Sequence, residues 1–235
     1  MDYNGPMRNE KIAVVLYGLP GSGKGTQANL AANAFGLVNF DTGRYLESLW
    51  YDPKRQKEVL VRRERKLFEE GKMNTPSFVL GKVAEAVKKI STKGLGVVFS
   101  GSPRTMYEAE RLMPTLEQLY GKKRVFVFFL NVDPKVSIER NTKRRLCAVC
   151  KAPLLAKYYP AKKPKYCPVC AGALYKRTLD RPDVILKRIA EYNERTAPVL
   201  GYLKKRDYRI TKADGRPAPY KVFRHIEQHI NNRLK

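Results

Sequence analysis

Short apolar runs alternate along the chain with longer stretches in which apolar residues recur every three or four positions. Residues 12–17, 37–40, 96–100 and 125–130 form apolar runs, interrupted only by Asn39 and closed by Ser100, suited to strands buried on both faces, and residues 208–211 form a weaker fifth run. Between them, residues 27–35, 54–70, 77–90, 107–120, 134–145, 183–205 and 217–234 carry the spacing of amphipathic helices. This alternation predicts an α/β fold of three layers, a central parallel five-stranded sheet with helices on both faces. Two stretches break the rhythm. Residues 42–90 make a helical excursion between the second and third strands, and residues 146–176 are rich in Cys, Pro, Lys and Tyr. Both are expected as insertions over the carboxyl edge of the sheet, where open α/β folds bind ligands. The core is then built from residues 1–41, 91–145 and 177–235.

The first strand runs into Gly18-Leu19-Pro20-Gly21-Ser22-Gly23-Lys24-Gly25-Thr26, and a helix follows. Glycines let the backbone turn so that successive N–H groups converge on phosphate oxygens, the new helix adds the positive end of its dipole, and Lys24 reaches the terminal phosphates. A nucleoside triphosphate is the expected ligand, held by Gly21, Ser22, Gly23, Lys24, Gly25 and Thr26. The usual pattern has Ser or Thr directly after the lysine. Here Gly25 intervenes and Thr26 supplies the hydroxyl, which makes this a variant loop.

Charge changes the picture next. The 235 residues include 47 Lys and Arg against 22 Asp and Glu, a formal net charge of +25. A site for two nucleotides uses several arginines, but the surplus exceeds that need and suggests a polyanionic partner such as RNA or a ribosome; a cell whose proteins are generally basic is the competing explanation. No apolar stretch approaches the length of a membrane helix and residues 1–11 contain no apolar leader core, so a cytoplasmic protein with no membrane partner is expected. The four cysteines form two Cys-x-x-Cys pairs, Cys147/Cys150 and Cys167/Cys170, about sixteen residues apart. That is structural zinc spacing; four thiolates close a tetrahedral site with no open position, so Zn2+ is expected to staple a small lid and perform no chemistry, with two disulfides as the alternative.

Taken together, the phosphate loop with Gln27-Ala28, Asp41-Thr42-Gly43, Gly71-Lys72, Gly101-Ser102-Pro103-Arg104-Thr105, Arg140 with Lys143-Arg144-Arg145, the cysteines, Arg177, Arg188, Glu191-Tyr192, Thr196-Ala197-Pro198 and Asp214-Gly215 make the chain resemble the adenylate kinases over nearly its whole length. The resemblance implies a P-loop fold, a monomer, and transfer of the γ-phosphoryl of ATP, with Mg2+, to AMP or another nucleoside monophosphate. It implies that residues 42–90 bind the monophosphate and residues 146–176 close as a lid. It also implies that Lys24, Arg104, Arg144, Arg177 and Arg188 are catalytic. Arg140, Arg144 and Arg216 lie along the donor nucleotide, and Thr42, Gly43, Arg44, Gly101, Arg104, Glu108, Arg177 and Arg188 along the acceptor. Phosphoryl transfer asks the protein to align two substrates and neutralise charge, which explains the recurrence of guanidinium groups.

The chain departs from that resemblance around the acceptor and the magnesium. Where the family has an aspartate and then an arginine that holds the monophosphate, this sequence has Arg44 and Glu47; Ser100 and Asn131 stand where aspartates are usual, and Glu108 stands where a glutamine is. Either the acceptor differs from AMP and the metal is held more weakly, or the chain is an adenylate kinase-shaped ATP-binding component that docks on RNA or a ribosome. The lysine- and tyrosine-rich segment 157–166 suits both lid closure over ATP and contact with RNA. His225 and His229 are expected at the surface, and Trp50 in the core.

Overall fold

All five apolar runs enter one sheet. The computed structural model describes residues 9–159 and 164–235. Strands β1 (Ala13–Tyr17), β2 (Leu37–Phe40), β3 (Gly96–Phe99), β4 (Val125–Asn131), β5 (Arg145–Cys147), β6 (Pro153–Leu154), β7 (Leu174–Tyr175) and β8 (Ile210–Asp214) occur in it. Five of them are parallel in the order β2-β3-β1-β4-β8, while β6-β5-β7 form a small antiparallel sheet. Helix α1 (Lys24–Phe35) follows β1, and α2 (Thr42–Trp50), α3 (Val59–Glu69) and α4 (Pro76–Thr92) fill the excursion before β3. Then come α5 (Met106–Tyr120), α6 (Pro134–Lys143), α7 (Pro182–Glu191), α8 (Ala197–Lys205) and α9 (Pro219–Leu234).

Period-two alternation sorts the strands into two cores. Val15, Phe99 and Val127 meet Val83 and Val87 of α4, Leu112 and Leu116 of α5 and Leu203 of α8. Val14, Val98 and Phe128 point the other way onto Ala28 and Phe35 of α1 and Val222, Ile226 and Ile230 of α9. Each large side chain removed from water in this way contributes about 1.5–3 kcal/mol. Both layers hold the carboxyl edge in place, and the phosphate loop, Asp41, Ser100 and the β4–α6 turn line up along it. Within the excursion, fully buried Glu64 of α3 accepts from Asn74 Nδ2 at 3.0 Å, from the Thr75 N–H at 2.8 Å and from the Thr75 hydroxyl, which fixes the start of α4.

Several boundaries differ from the sequence pattern, each for a local reason. The helix expected from residue 54 begins at Val59, after a turn of 3-10 helix at Pro53–Arg55. The last strand starts two residues late because Asp207 takes a positive φ of 59° and sends Tyr208 into the core, where its hydroxyl meets Glu117. The helix expected at residues 183–205 is α7 and α8 joined through a π-helical turn, Tyr192–Thr196. Trp50 is buried as expected. His229 is not an ordinary surface residue: its Nε2 lies 2.9 Å from the Thr211 hydroxyl and its ring meets Phe128 edge-on. No helix among the described residues is long and apolar enough to cross a membrane.

Candidate active site

The loop between β1 and α1 is shaped for an anion. Gly21 adopts φ 81°, and a side chain there would run into the Asn141 amide and, at 3.0 Å, the Ser137 carbonyl of α6, so only glycine fits. Ser22 is buried with no partner for its hydroxyl among the described residues, a polar atom left to a ligand. Lys24 folds back and donates from Nζ to the carbonyls of Gly18 at 2.6 Å and Leu19 at 2.9 Å. Burial lowers its pKa to about 7, helped by the charges of Arg104, Arg188 and Arg144; Asp41 opposes the shift.

These three arginines converge on the lysine across a cavity of about 870 Å³. Buried Asp180 carries two of them. Arg144 reaches it through both Nε, at 2.9 Å, and Nη2, and Arg188 Nη1 lies 3.9 Å away while also donating to the Leu179 carbonyl at 3.2 Å. One carboxylate therefore faces a group of cations, and burial together with Arg144, Arg177 and Arg104 presses the pKa of Arg188 downward. Arg140 donates to the carbonyls of Gly215 at 2.8 Å and Arg216 at 3.1 Å, which pins it along the cavity wall, while Arg216 pairs with Asp214.

A smaller pocket continues from this cavity between Thr42, Gly43, Phe68, Lys72, Met73, Gly101, Arg104 and Glu108. Thr42 donates to the Ser102 hydroxyl at 2.9 Å. Glu108 and Thr105 cap the start of α5 reciprocally: the Thr105 hydroxyl accepts from the Glu108 N–H, and the carboxylate accepts from the Arg104 N–H at 2.9 Å and the Thr105 hydroxyl at 3.1 Å. Burial raises the Glu108 pKa against those donors. Helix α2 also reaches the small sheet. Arg44 donates to the Lys151 carbonyl at 2.7 Å, and Glu47 meets Arg177 at 3.4 Å.

Over the cavity, the four cysteine sulfurs lie within 4.8 Å of one another. Cys147 and Cys150 begin and end one knuckle, Cys167 and Cys170 the other, and the residue after each, Lys151 and Ala171, has φ near 58°. The N–H groups of Val149 and Cys150 point at the Cys147 sulfur at 3.3 and 3.4 Å, and that of Val169 at the Cys167 sulfur at 3.4 Å. Sulfurs 3.4–3.6 Å apart across the two knuckles match the edge of a thiolate tetrahedron around Zn2+, about 3.8 Å for 2.3 Å bonds. The donor set fits zinc.

A family model for adenylate kinase matches residues 16–208. The chain belongs to the adenylate kinase family. It is 31% identical over 200 residues to an adenylate kinase of Caldicellulosiruptor saccharolyticus, covering 85% of this chain and 90% of the relative. Similar matches are the adenylate kinases of Bacillus subtilis, 31% identical over 83% of this chain and 87% of the relative, and of Methanothrix thermoacetophila, 32% identical over 82% and 86%. Family membership makes the chain a phosphotransferase of the nucleoside monophosphate kinase type, which uses ATP and Mg2+.

In this adenylate kinase relative, Gly21 to Thr26, Gly43, Gly101, Arg104, Arg140, Arg144, Arg177, Arg188 and Arg216 all line the large cavity, and Thr42 and Glu108 line the smaller one. Arg44 lines neither; its guanidinium is engaged by Asp41 and Lys151. Lys157 and Tyr158 face the large cavity too, whereas residues 160–163 of that segment lie outside the described residues. Sequence reasoning passed over Asp180 and the π turn that sets Tyr192 and Thr196 into the cavity wall, and it named Asp41 within a motif without giving it a role. Only the position of Asp180 between Arg177 and Arg188 hinted at its role.

Metal removal tests the cysteine site. The purified protein is expected to carry one Zn2+ per chain by elemental analysis, and Cys167→Ser to lose the metal and melt at a lower temperature. Retention of full metal content by that variant would show that the ion is held elsewhere.

Proposed function

We propose that this chain transfers the γ-phosphoryl group of ATP to a nucleoside monophosphate, with ATP on the loop at residues 18–26 beneath the cysteine lid and the acceptor between α2, α3 and Arg104. The observation that carries the reading is the convergence of Arg104, Arg144 and Arg188 on Lys24, with buried Asp180 pairing two of the arginines. Cations held this close repel one another, and a chain of phosphates neutralises them all. Lys24 would exchange its two loop carbonyls for phosphate oxygens of ATP. Arg104 would hold the acceptor phosphate, and Arg144, Arg177 and Arg188 the group in transit, stabilising charge that builds up in the transition state. Arg177 meets Glu47 at 3.4 Å, a contact that a phosphate bound by Arg177 would replace.

The oxygen donors present suit magnesium. Phe40 pairs with Phe99 across β2 and β3, so Asp41 and Ser100 follow side by side at the carboxyl edge, and both line the large cavity with Thr26. Asp41 thus supplies from β2 a carboxylate that β3 lacks, and a hard cation prefers such oxygens. Bound there with the nucleotide, the ion would neutralise phosphate charge. Closure of the cysteine lid and of α2–α4 keeps water from the site.

Glu108 bears on the acceptor base. An ionised carboxylate only accepts, so it favours guanine, whose N1–H and N2–H2 donate, over adenine, whose N1 accepts.

A coupled assay for ADP with a panel of monophosphates is the primary test; ATP binding with no transfer to any acceptor would refute the kinase reading. Within the panel, Glu108→Gln is expected to shift use toward AMP relative to GMP, and an unchanged ratio removes Glu108 from base selection. Lys24→Ala is expected to lower kcat by at least about 100-fold. The lowered pKa of Lys24 has a further consequence. At pH about 8 the ligand-free amine is largely neutral, and phosphate restores its charge, so ATP binding takes up a proton and weakens as pH rises through about 7. Calorimetry in buffers of different ionisation enthalpy reads that uptake, and Lys24→Ala should abolish it. For the metal, Asp41→Asn is expected to weaken Mn2+ binding to the protein with a non-hydrolysable ATP analogue by about 10-fold or more, read by electron paramagnetic resonance. Undiminished Mn2+ affinity would assign the ion to other ligands.

A further inference from the structure

In a sheet whose strands all run the same way, strand starts and the ends of the returning helices share one edge, opposite the nucleotide cavity. That edge is strongly basic here. Lys93 precedes β3, Lys11 precedes β1, the turn Lys122–Arg124 precedes β4 and Arg209 precedes β8. All of these side chains are exposed, and none makes an ion pair among the described residues. Printed on one surface by their contacts, Arg124 donates to the Lys11 carbonyl at 3.4 Å and Arg233 of α9 to the Lys122 carbonyl at 3.3 Å. Lys122 Nζ lies 5.6 Å from the ring of Tyr208, the neighbour of Arg209, and Arg209 and Arg233 both bear on His229. Lys204 and Lys205 at the end of α8 extend the surface.

The carboxylates there do little to balance it. Glu117 is occupied by the Tyr208 hydroxyl at 2.5 Å and by Arg206 at 3.4 Å, leaving Glu10 and Asp207. Helix C-termini attract cations, which accounts for Lys93, Lys204 and Lys205. Lys11, Arg124 and Arg209 sit on segments entering strands and have no such cause. Unpaired like charges disfavour the compact state, so this concentration points to a partner outside the fold.

The chemistry of the edge narrows that partner. Its large apolar side chains are covered: Tyr208 and Phe126 are buried, and the exposed apolar residues belong to the excursion, the lid, α5, α7 and the start of α9. Among the described residues of this edge there is no exposed apolar wedge to enter a membrane and no exposed ring to stack on an unpaired base. The free cations are mostly lysines, point charges suited to phosphate, while the forks of Arg206 and Arg233 are already engaged. Lysines meet the phosphates of either duplex, but architectural DNA binders add arginines or apolar wedges in the minor groove, whereas double-stranded RNA is held mostly through its shape, phosphates and 2′-hydroxyls. We infer that the amino edge of the sheet, centred on Lys11, Lys122–Arg124 and Arg209, docks on the phosphate backbone of double-helical RNA while leaving the nucleotide cavity open.

Fluorescence anisotropy with a labelled RNA duplex of about 20 base pairs tests it. Raising monovalent salt from about 50 to about 200 mM should weaken binding by about 100-fold or more, as for about five neutralised phosphates. Lys122→Glu/Lys123→Glu/Arg209→Glu should weaken binding at least about tenfold, with melting temperature and ADP formation unchanged. Should that variant misfold, Lys122→Ala/Lys123→Ala/Arg209→Ala gives the same comparison. A lid variant, Lys165→Glu/Tyr166→Ala, should keep wild-type affinity. Absence of RNA binding at low salt, loss confined to the lid variant, equal affinity for a DNA duplex of the same sequence, or binding only to anionic vesicles would each overturn the inference.

Discussion

The carboxyl edge of this molecule is organised around a charge imbalance that the protein does not resolve by itself. Lys24, Arg104, Arg144 and Arg188 are brought within mutual influence; buried Asp180 is the carboxylate that pairs with two of them, while Glu108 bears on Arg104 and Asp41 on Lys24. Asp180 fixes the directions of Arg144 and Arg188 without neutralising the group. Removing it would leave two guanidinium groups without their anchor; adding a second acid would fill the role of the substrate. Burial first, and then the charges of Arg104, Arg188 and Arg144, lower the pKa of Lys24 in the same cluster. Binding energy is thereby stored as repulsion that a polyphosphate relieves.

Surrounding elements serve that cluster. The glycine loop leaves the Ser22 hydroxyl unpartnered, and α6 crowds Gly21 so closely that the loop cannot relax into another shape. Arg44 and Glu47 on α2 touch the small sheet through Lys151 and Arg177, so the excursion and the lid are coupled before any ligand arrives. The Arg177–Glu47 contact is partly exposed and long, worth about 1 kcal/mol at most, weak enough for a phosphate to displace. Two strands of two residues and one of three bury too little surface to hold a shape, so Zn2+ on the four cysteines would supply the rigidity of this small sheet.

Most of the fold was legible because it rests on period: continuous apolar runs for the strands, spacing of three and four for the helices. The motif residues were legible because phosphate binding requires glycines, a lysine and a helix start in fixed order. What escaped was whatever depends on contacts distant in sequence. Asp180 reads as one more acid in a charged stretch, and its burial follows only from α6 packing on α7. Asp41 caps the start of α2 in the structure, and its place beside Ser100 depends on the register of β2 with β3. The π turn at Tyr192–Thr196 has no periodic signature, since it inserts one residue into an otherwise continuous helical pattern.

The net charge of +25 divides in space, and the division matters more than the total. At the carboxyl edge the cations face inward, share Asp180 and line a cavity of nucleotide size. At the amino edge they face solvent and outnumber the acids beside them, Glu10, Asp207 and the already paired Glu117. An inward cluster selects a small polyanion by enclosing it; an outward one meets an extended polyanion along a line. The edges are separated by the length of the strands, five residues in β1, or about 16 Å at about 3.3 Å per residue, beyond the Debye length of about 8 Å that screens exposed charges in physiological salt. Each edge can therefore be occupied with little electrostatic penalty from the other, and a strongly basic chain can keep a nucleotide-sized pocket while carrying a second anion-binding face.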